Sequence, residues 1–272
     1  MTTHVAQHAA QVTHSRLLVA WQNPESRLIS PIGFLDHDSD GYRFRYVERA
    51  LRVDGFRPLL GFPNFYADYR SDDLFPIFAQ RVMSARRPEY GEFLAELDLS
   101  TDSSPSPMEI LSRSGGRRVG DTIQLLPVPP VYGDGTTSCE FLISGLRHRL
   151  QQDPRVSETI AAMRPGDRLT LEDEPTNPVN HRALVALCED GVIVGWVPDL
   201  LLDYVHELRT FGRYEITVAH VNGPETPPHL RILARISGEV GPAYSPFDGD
   251  GWRVGPELDP VADGVLVGNA SA

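Results

Sequence analysis

Lysine is absent from this chain: all 25 basic residues are arginine. Arginine carries a planar guanidinium fork suited to bidentate contacts and stacking, but a complete absence of lysine points first to coding bias and has little functional weight. Cysteine is nearly absent as well. Cys139 and Cys188 stand alone, far apart and in no metal-ligand spacing, which excludes a zinc ribbon and a disulfide framework. No run of about 18 apolar residues is present to span a membrane, and the first fifteen residues lack the apolar core of a signal peptide. The expectation is a cytoplasmic protein with no membrane association. Nor is there a Ser/His/Asp arrangement of the hydrolase kind, so no general base is assigned and the chain is expected to be non-enzymatic, with no cofactor and no metal.

Acid outweighs base. The formal net charge is −12, from 25 arginines against 37 Asp and Glu. Residues 237–272 hold one arginine against six acids, so the tail is the most acidic region. A protein that coats duplex DNA gains affinity by neutralising phosphates, which disfavours wide, non-specific duplex binding here. A local pocket for a strand end remains open.

The chain does have turns. Gly and Pro number 23 each within 272 residues, and hydrophobic residues make up 41%. That composition predicts two β-rich domains with short elements. Residues 1–15 are expected to form a disordered arm. Leu17-Leu18-Val19-Ala20-Trp21, Ile32-Gly33-Phe34-Leu35 and the alternating Tyr42-Arg43-Phe44-Arg45-Tyr46 read as an antiparallel meander, the two arginines of the last on its wet face. An aromatic, Pro-rich span over 56–69 follows and is expected to be core or a docking patch. Helical spacing is read over 74–83, 89–97 and 108–111. Residues 115–120 form a glycine-rich corner with no phosphate-loop ending, which leaves Arg117 and Arg118 as solvated residues. A strand over 121–127 closes the first domain, and 129–139 reads as a linker.

Trp21, Ile32-Gly33-Phe34, residues 42–46, Leu74-Phe75-Pro76-Ile77-Phe78, Pro107-Met108-Glu109-Ile110-Leu111 and Gly115-Gly116 with Ile123-Gln124-Leu125-Leu126-Pro127 together resemble the amino-terminal module of HipA-type kinase toxins. The resemblance covers 16–128. No kinase core follows these residues, so it implies a docking surface and not phosphotransfer.

The second domain centres on residues 174–198. Asn177-Pro178 is a turn signal, followed by Asn180, His181 and Arg182 and then by the apolar run 183–187. Glu189-Asp190-Gly191 turns that strand back onto 192–197. Before this hairpin, residues 141–149 read as a strand running into a basic turn, with Arg147 and Arg149 on one side of it. They form either a solvated face or a phosphate clamp. A helix-like segment over 156–163 and a strand over 168–172 precede the hairpin. A helix over 199–208 and strands over 214–221 and 230–236 follow it. This order predicts a small closed or half-closed barrel.

Gly145-Leu146-Arg147-His148, Glu174-Pro175-Thr176-Asn177-Pro178-Val179-Asn180-His181-Arg182-Ala183-Leu184 and Val194-Gly195-Trp196-Val197-Pro198 resemble a HIRAN domain over 140–237. The chain is thus expected to be a β-rich α+β protein of two small domains, the second a HIRAN-type modified OB-like barrel, with an acidic and largely disordered tail over 238–272. The resemblance implies capture of a single-stranded DNA 3′ end. Arg147 would meet phosphate and His148 stack on a base, while Asn177, Asn180 and His181 would bracket the terminal nucleotide, with Arg182 adding to the cluster. Val179 stands where the family has an aromatic residue, and Asn180 where it has an aspartate. The partners implied are single-stranded DNA and a protein such as a kinase or helicase. The alternative is a protein interaction module, an antitoxin-like regulator of a separately encoded HipA-type kinase.

Overall fold

A computed structural model describes residues 15–258 apart from Val119 and Pro242. The expected amino-terminal arm lies outside the described residues except for its last member, Ser15, and so do residues 259–272.

The first domain is a five-stranded antiparallel sheet ordered β4-β3-β2-β1-β5, from β1 (Ser15–Gln22), β2 (Ile29–Asp38), β3 (Gly41–Tyr46), β4 (Tyr69–Ser71) and β5 (Ile123–Pro127). Three helices connect β4 to β5: α1 (Pro76–Ala79), α2 (Tyr90–Glu96) and α3 (Pro107–Ser114). The aromatic span packs inward. Phe62 is buried and Phe56, Phe65 and Tyr69 lean on the same core, while Tyr46 donates its hydroxyl to Phe62 O at 3.0 Å.

The helix expected over 74–83 shrinks to the single turn of α1. Arg81 is the reason: its guanidinium is drawn inward to pair with Asp121 and to donate to Gly116 O at 3.3 Å, and this tertiary contact overrides the helical spacing of its neighbours. A second correction concerns β3. Arg45 is buried and donates to Asp36 at 3.1 Å, so its face of the sheet is not wet.

The cover over that face comes from the supposed disordered tail. Four successive residues of β1, Leu17 to Ala20, are all buried, which requires both faces of the sheet to be packed. On the second face, Phe247, Trp252 and Val254 lie against Leu18, Phe34 and Val47, and the Arg49 guanidinium sits 4.3 Å from the Trp252 ring centroid. The apolar residues scattered through this acidic segment outweigh its charge and seat its described part on the sheet.

The second domain begins within the predicted linker, at β6 (Thr136–Leu142), because Thr137 Oγ1 donates to Pro130 O at 2.6 Å and lies 2.9 Å from the buried Tyr204 hydroxyl. Its remaining elements are α4 (Leu146–Gln152), α5 (Arg155–Ala162), β7 (Thr170–Asp173), β8 (Leu184–Leu187), β9 (Ile193–Trp196), α6 (Leu202–Phe211), β10 (Tyr214–Val221) and β11 (Ile232–Glu239). They form two three-stranded antiparallel sheets, β10-β11-β6 and β7-β8-β9. Single bridges, Ser144 to Trp196 and Arg168 to Thr217, join the sheets, so the arrangement is half-open and not a closed barrel. A single hydrophobic core lies between them. The chain is therefore a strand-rich mixture of α and β with antiparallel sheets.

The expectation of a strand running into a basic turn over 141–149, with Arg147 and Arg149 on one side of the strand, is corrected too. It stops at Leu142, and Gly145 turns the chain at φ 73° into α4. Leu146 and Leu150 recur at helical spacing against the core, and none of residues 146–152 is β-branched. Arg147 and Arg149 therefore do not share a face in the way two strand residues would.

Polar and apolar contacts lock the two domains together. Asn222 Nδ2 donates to Glu96 O at 2.6 Å, Thr226 Oγ1 to Glu96 Oε1 at 3.1 Å, and Arg113 on α3 pairs with Glu140 on β6. Leu94, Leu97 and Ile110 of the first domain pack with Leu230 of the second.

Candidate nucleic-acid interface

Between the domains lies an open cleft of about 850 Å³. One wall is the start of α4 with the end of β9, a second is the loop 174–179, and the third is the turn after α3 together with the 3-10 turn at Pro228–Leu230.

Trp196 organises the second-domain side. Its indole N–H donates to Glu174 Oε2 at 2.7 Å, and Asn177 Nδ2 donates to the same oxygen at 2.6 Å. Asn177 Oδ1 accepts from the backbone N–H groups of Val179 at 3.0 Å and Asn180 at 3.1 Å, an Asx turn that sets the shape of the loop. The Pro178-Val179 tip is left exposed, Val179 at 68%. Asn180 is used locally as well: its Oδ1 accepts from Arg182 N at 3.0 Å and its Nδ2 donates to Asp199 at 3.2 Å. Both amide oxygens are thereby committed inside the loop, and each amide keeps one N–H to offer.

The structure brings Arg147, His148 and Asn177 together in the cleft. Asn180 sits behind the loop. His181 and Arg182 face away from the cleft: His181 Nδ1 lies 2.9 Å from Pro175 O, and Arg182 pairs with Asp203 on α6. The Arg147 side chain is exposed and makes no hydrogen bond or ion pair with any described residue. The His148 ring lies 6.2 Å from the Trp196 ring, tilted by 39°. Arg149 donates Nε to Ile193 O at 3.1 Å and holds its guanidinium 6.0 Å from the same indole.

Two residues of the cleft were not marked as functional in the sequence. Arg117 reaches it from the glycine corner of the first domain and donates to Gln124 Oε1 at 3.0 Å; His229 reaches it from the turn before β11. Crowding by protein lowers the Arg117 pKa, and the positive Arg27 adds to the effect. His229 is lowered first by burial and then by the charge of Arg117, so it is neutral at pH 7. Trp196, half-buried at the end of β9, forms part of the cleft floor.

Cations dominate the lining. Arg117, Arg147 and Arg149 face Glu174 and Asp199, both of which already accept hydrogen bonds from neighbours. In a chain of net charge −12 this is a local inversion of sign. Burial pushes the Cys139 thiol up to about 12 and the Cys188 thiol up to about 11, so both stay protonated at neutral pH. Among the described residues no helix is long and apolar enough to cross a membrane.

No family model matches the chain, and no curated protein matches it. Two solved structures do. A structural-genomics target protein from Lactobacillus plantarum is 13% identical over 39% of this chain and 100% of its own, with a TM-score of 0.31. The HIRAN domain of human HLTF is 14% identical over 40% of this chain and 83% of its own, with a TM-score of 0.28.

Proposed function

We propose that the cleft captures the 3′ end of a single nucleic-acid strand, as a HIRAN-type binding module without catalysis. The observation that carries this reading is the unpaired, exposed Arg147 guanidinium beside His148 and Trp196, in a cationic cleft of an otherwise acidic chain. An arginine free of internal partners offers its full fork to a phosphate, and two neighbouring rings offer faces to a base. Asn177 shapes the loop with its oxygen and has only an N–H group left for the cleft, which suits an accepting hydroxyl or phosphate oxygen, while Asn180 supports the loop from behind. His181 and Arg182 serve the loop and α6 and have no direct part in the contact. The open rim and the low cation count favour one strand over a duplex.

Fluorescence anisotropy of labelled single strands with free and blocked 3′ ends tests the reading at low salt. Tighter binding of the free end, weakened about tenfold or more by Arg147→Gln, is expected, since a charge-assisted contact is worth about 1.5–3 kcal/mol. Equal or undetectable binding of both strands would sink it.

The first domain would dock a partner, such as a helicase or a separately encoded kinase. Leu60 and Tyr66 favour this second role: both stand exposed on the aromatic span whose other rings pack inward. A complex with a co-expressed neighbouring kinase that survives gel filtration and is lost in Leu60→Asp would support it; co-elution unaffected by Leu60→Asp would remove Leu60 from that role.

A further inference from the structure

We infer that the bound strand crosses the domain junction, and that Arg117 and His229 form a second phosphate subsite in the same cleft as Arg147. This inference rests on the end-binding reading and extends it to the first domain.

The turn that carries Arg117 is rigid. Gly115 caps α3 at φ 69° and its carbonyl accepts from Leu125 N at 2.8 Å. Gly116 follows at φ 58°, where a Cβ would lie 2.2 Å from Leu125 Cδ1, so the backbone is pressed directly onto the buried β5 side chain. The Gly116 carbonyl accepts from Arg81, itself buried and paired with Asp121. A side chain leaving such a turn has a defined starting direction.

Arg117 points along the cleft wall, where its hydrogen-bond partner is the neutral Gln124. No acid among the described residues pairs with it. The charges that act on it and that it acts on are positive or potentially so: Arg27 and His229. Folding has placed two cationic groups and a titratable histidine together without a counter-ion, in a cleft that also holds Arg147. Such an arrangement costs electrostatic free energy in the empty protein and regains it when an anion enters. A phosphodiester suits the geometry better than a carboxylate, because Arg117 and Arg147 line one cleft from different domains and a strand presents repeated phosphates to both. The domain contacts at Glu96 and Glu140 then act as the clamp that holds the two walls in register.

The test uses the full chain and labelled oligothymidylates of about three and about eight nucleotides, lengths that bracket the lower end of known single-strand site sizes. Arg117→Gln is expected to leave the short strand unaffected and to weaken the long one three- to tenfold. Its plot of log affinity against log salt should lose about 0.7 in slope, the value for one phosphate on a single strand, and Arg117→Lys should restore that slope. Because Arg117 is exposed and its charge has no acidic partner among the described residues, neither variant is expected to lower the unfolding midpoint. If Arg117→Gln binds the long strand with wild-type affinity and slope while Arg147→Gln weakens both strands, the subsite is overturned and end binding stands. Equal loss on both lengths also overturns the subsite. Loss with Arg117→Gln alone, Arg147→Gln having no effect, retains the subsite and removes the end-binding reading. If the wild type binds neither strand, both fall.

Discussion

Trp196 donates its indole N–H to Glu174 Oε2 at 2.7 Å and thereby ties the end of β9 to the start of the loop that faces the cleft. The same oxygen receives Asn177, so one carboxylate holds both a strand and an Asx turn. Trp196→Phe keeps a ring over the floor but removes that donor. A loss of about 1–2 kcal/mol of stability is expected in urea titrations, together with weaker strand binding as the loop loosens. Unchanged stability would show that Asn177 alone suffices to hold Glu174.

Gly145 meets the same indole from the other side. A Cβ there would lie 2.4 Å from Trp196 Cε3, and the residue already sits at φ 73°. Gly145→Ala combines left-handed strain with a clash against a ring fixed by its hydrogen bond. The expected cost is about 2–4 kcal/mol, read from chemical denaturation.

Val179 offers the opposite opportunity. It is 68% exposed at the loop tip, so a larger side chain meets little resistance. Val179→Tyr should change stability by less than about 0.5 kcal/mol. If the cleft stacks bases, the added ring should tighten single-strand binding by about 1–3 kcal/mol, roughly 5- to 150-fold. Anisotropy titration of the two proteins side by side measures it.

Arg81 and Asp121 supply the pH dependence. Burial pushes the Asp121 carboxyl up, but the hydrogen bonds from Arg81 and from Ile123 N–H outweigh it and hold the pKa below the ordinary value. A carboxylate with a depressed folded pKa contributes stability that is present above its unfolded pKa of about 4 and is lost as pH falls through the folded value. Asp121→Asn leaves the Arg81 guanidinium buried, its side chain 1% exposed, without its counter-charge. A loss of about 3–5 kcal/mol at neutral pH is expected. The gap between wild type and variant should narrow below about pH 4, as thermal melts across pH would show.

Much of this architecture was legible in local pattern. The strand over 214–221 was placed residue for residue, and the alternation in β3 and the apolar run of β8 marked real strands. The sheet itself was read with a wet face on the Arg43 and Arg45 side, yet Leu17 to Ala20 of β1 are all buried and Arg45 with them, so both faces are covered. What covered it was not legible, because the covering residues lie more than 200 positions away in an acidic segment. Arg147 and His148 were identified by their motif but assigned to a strand and turn, since the motif did not reveal that Gly145 adopts a left-handed turn and starts a helix.

The candidate site divides along the same line. Sequence alone determined the loop chemistry from Glu174 to Asn180, because Asx turns and hairpins are encoded within a few residues. Only the tertiary structure decided which polar groups those turns consume, and that Arg182 is neutralised by α6 while Arg147 is not. It alone set Arg117 of one domain beside His229 of the other. Whether a cation has an acid within reach depends on how two domains pack, and no local periodicity records that.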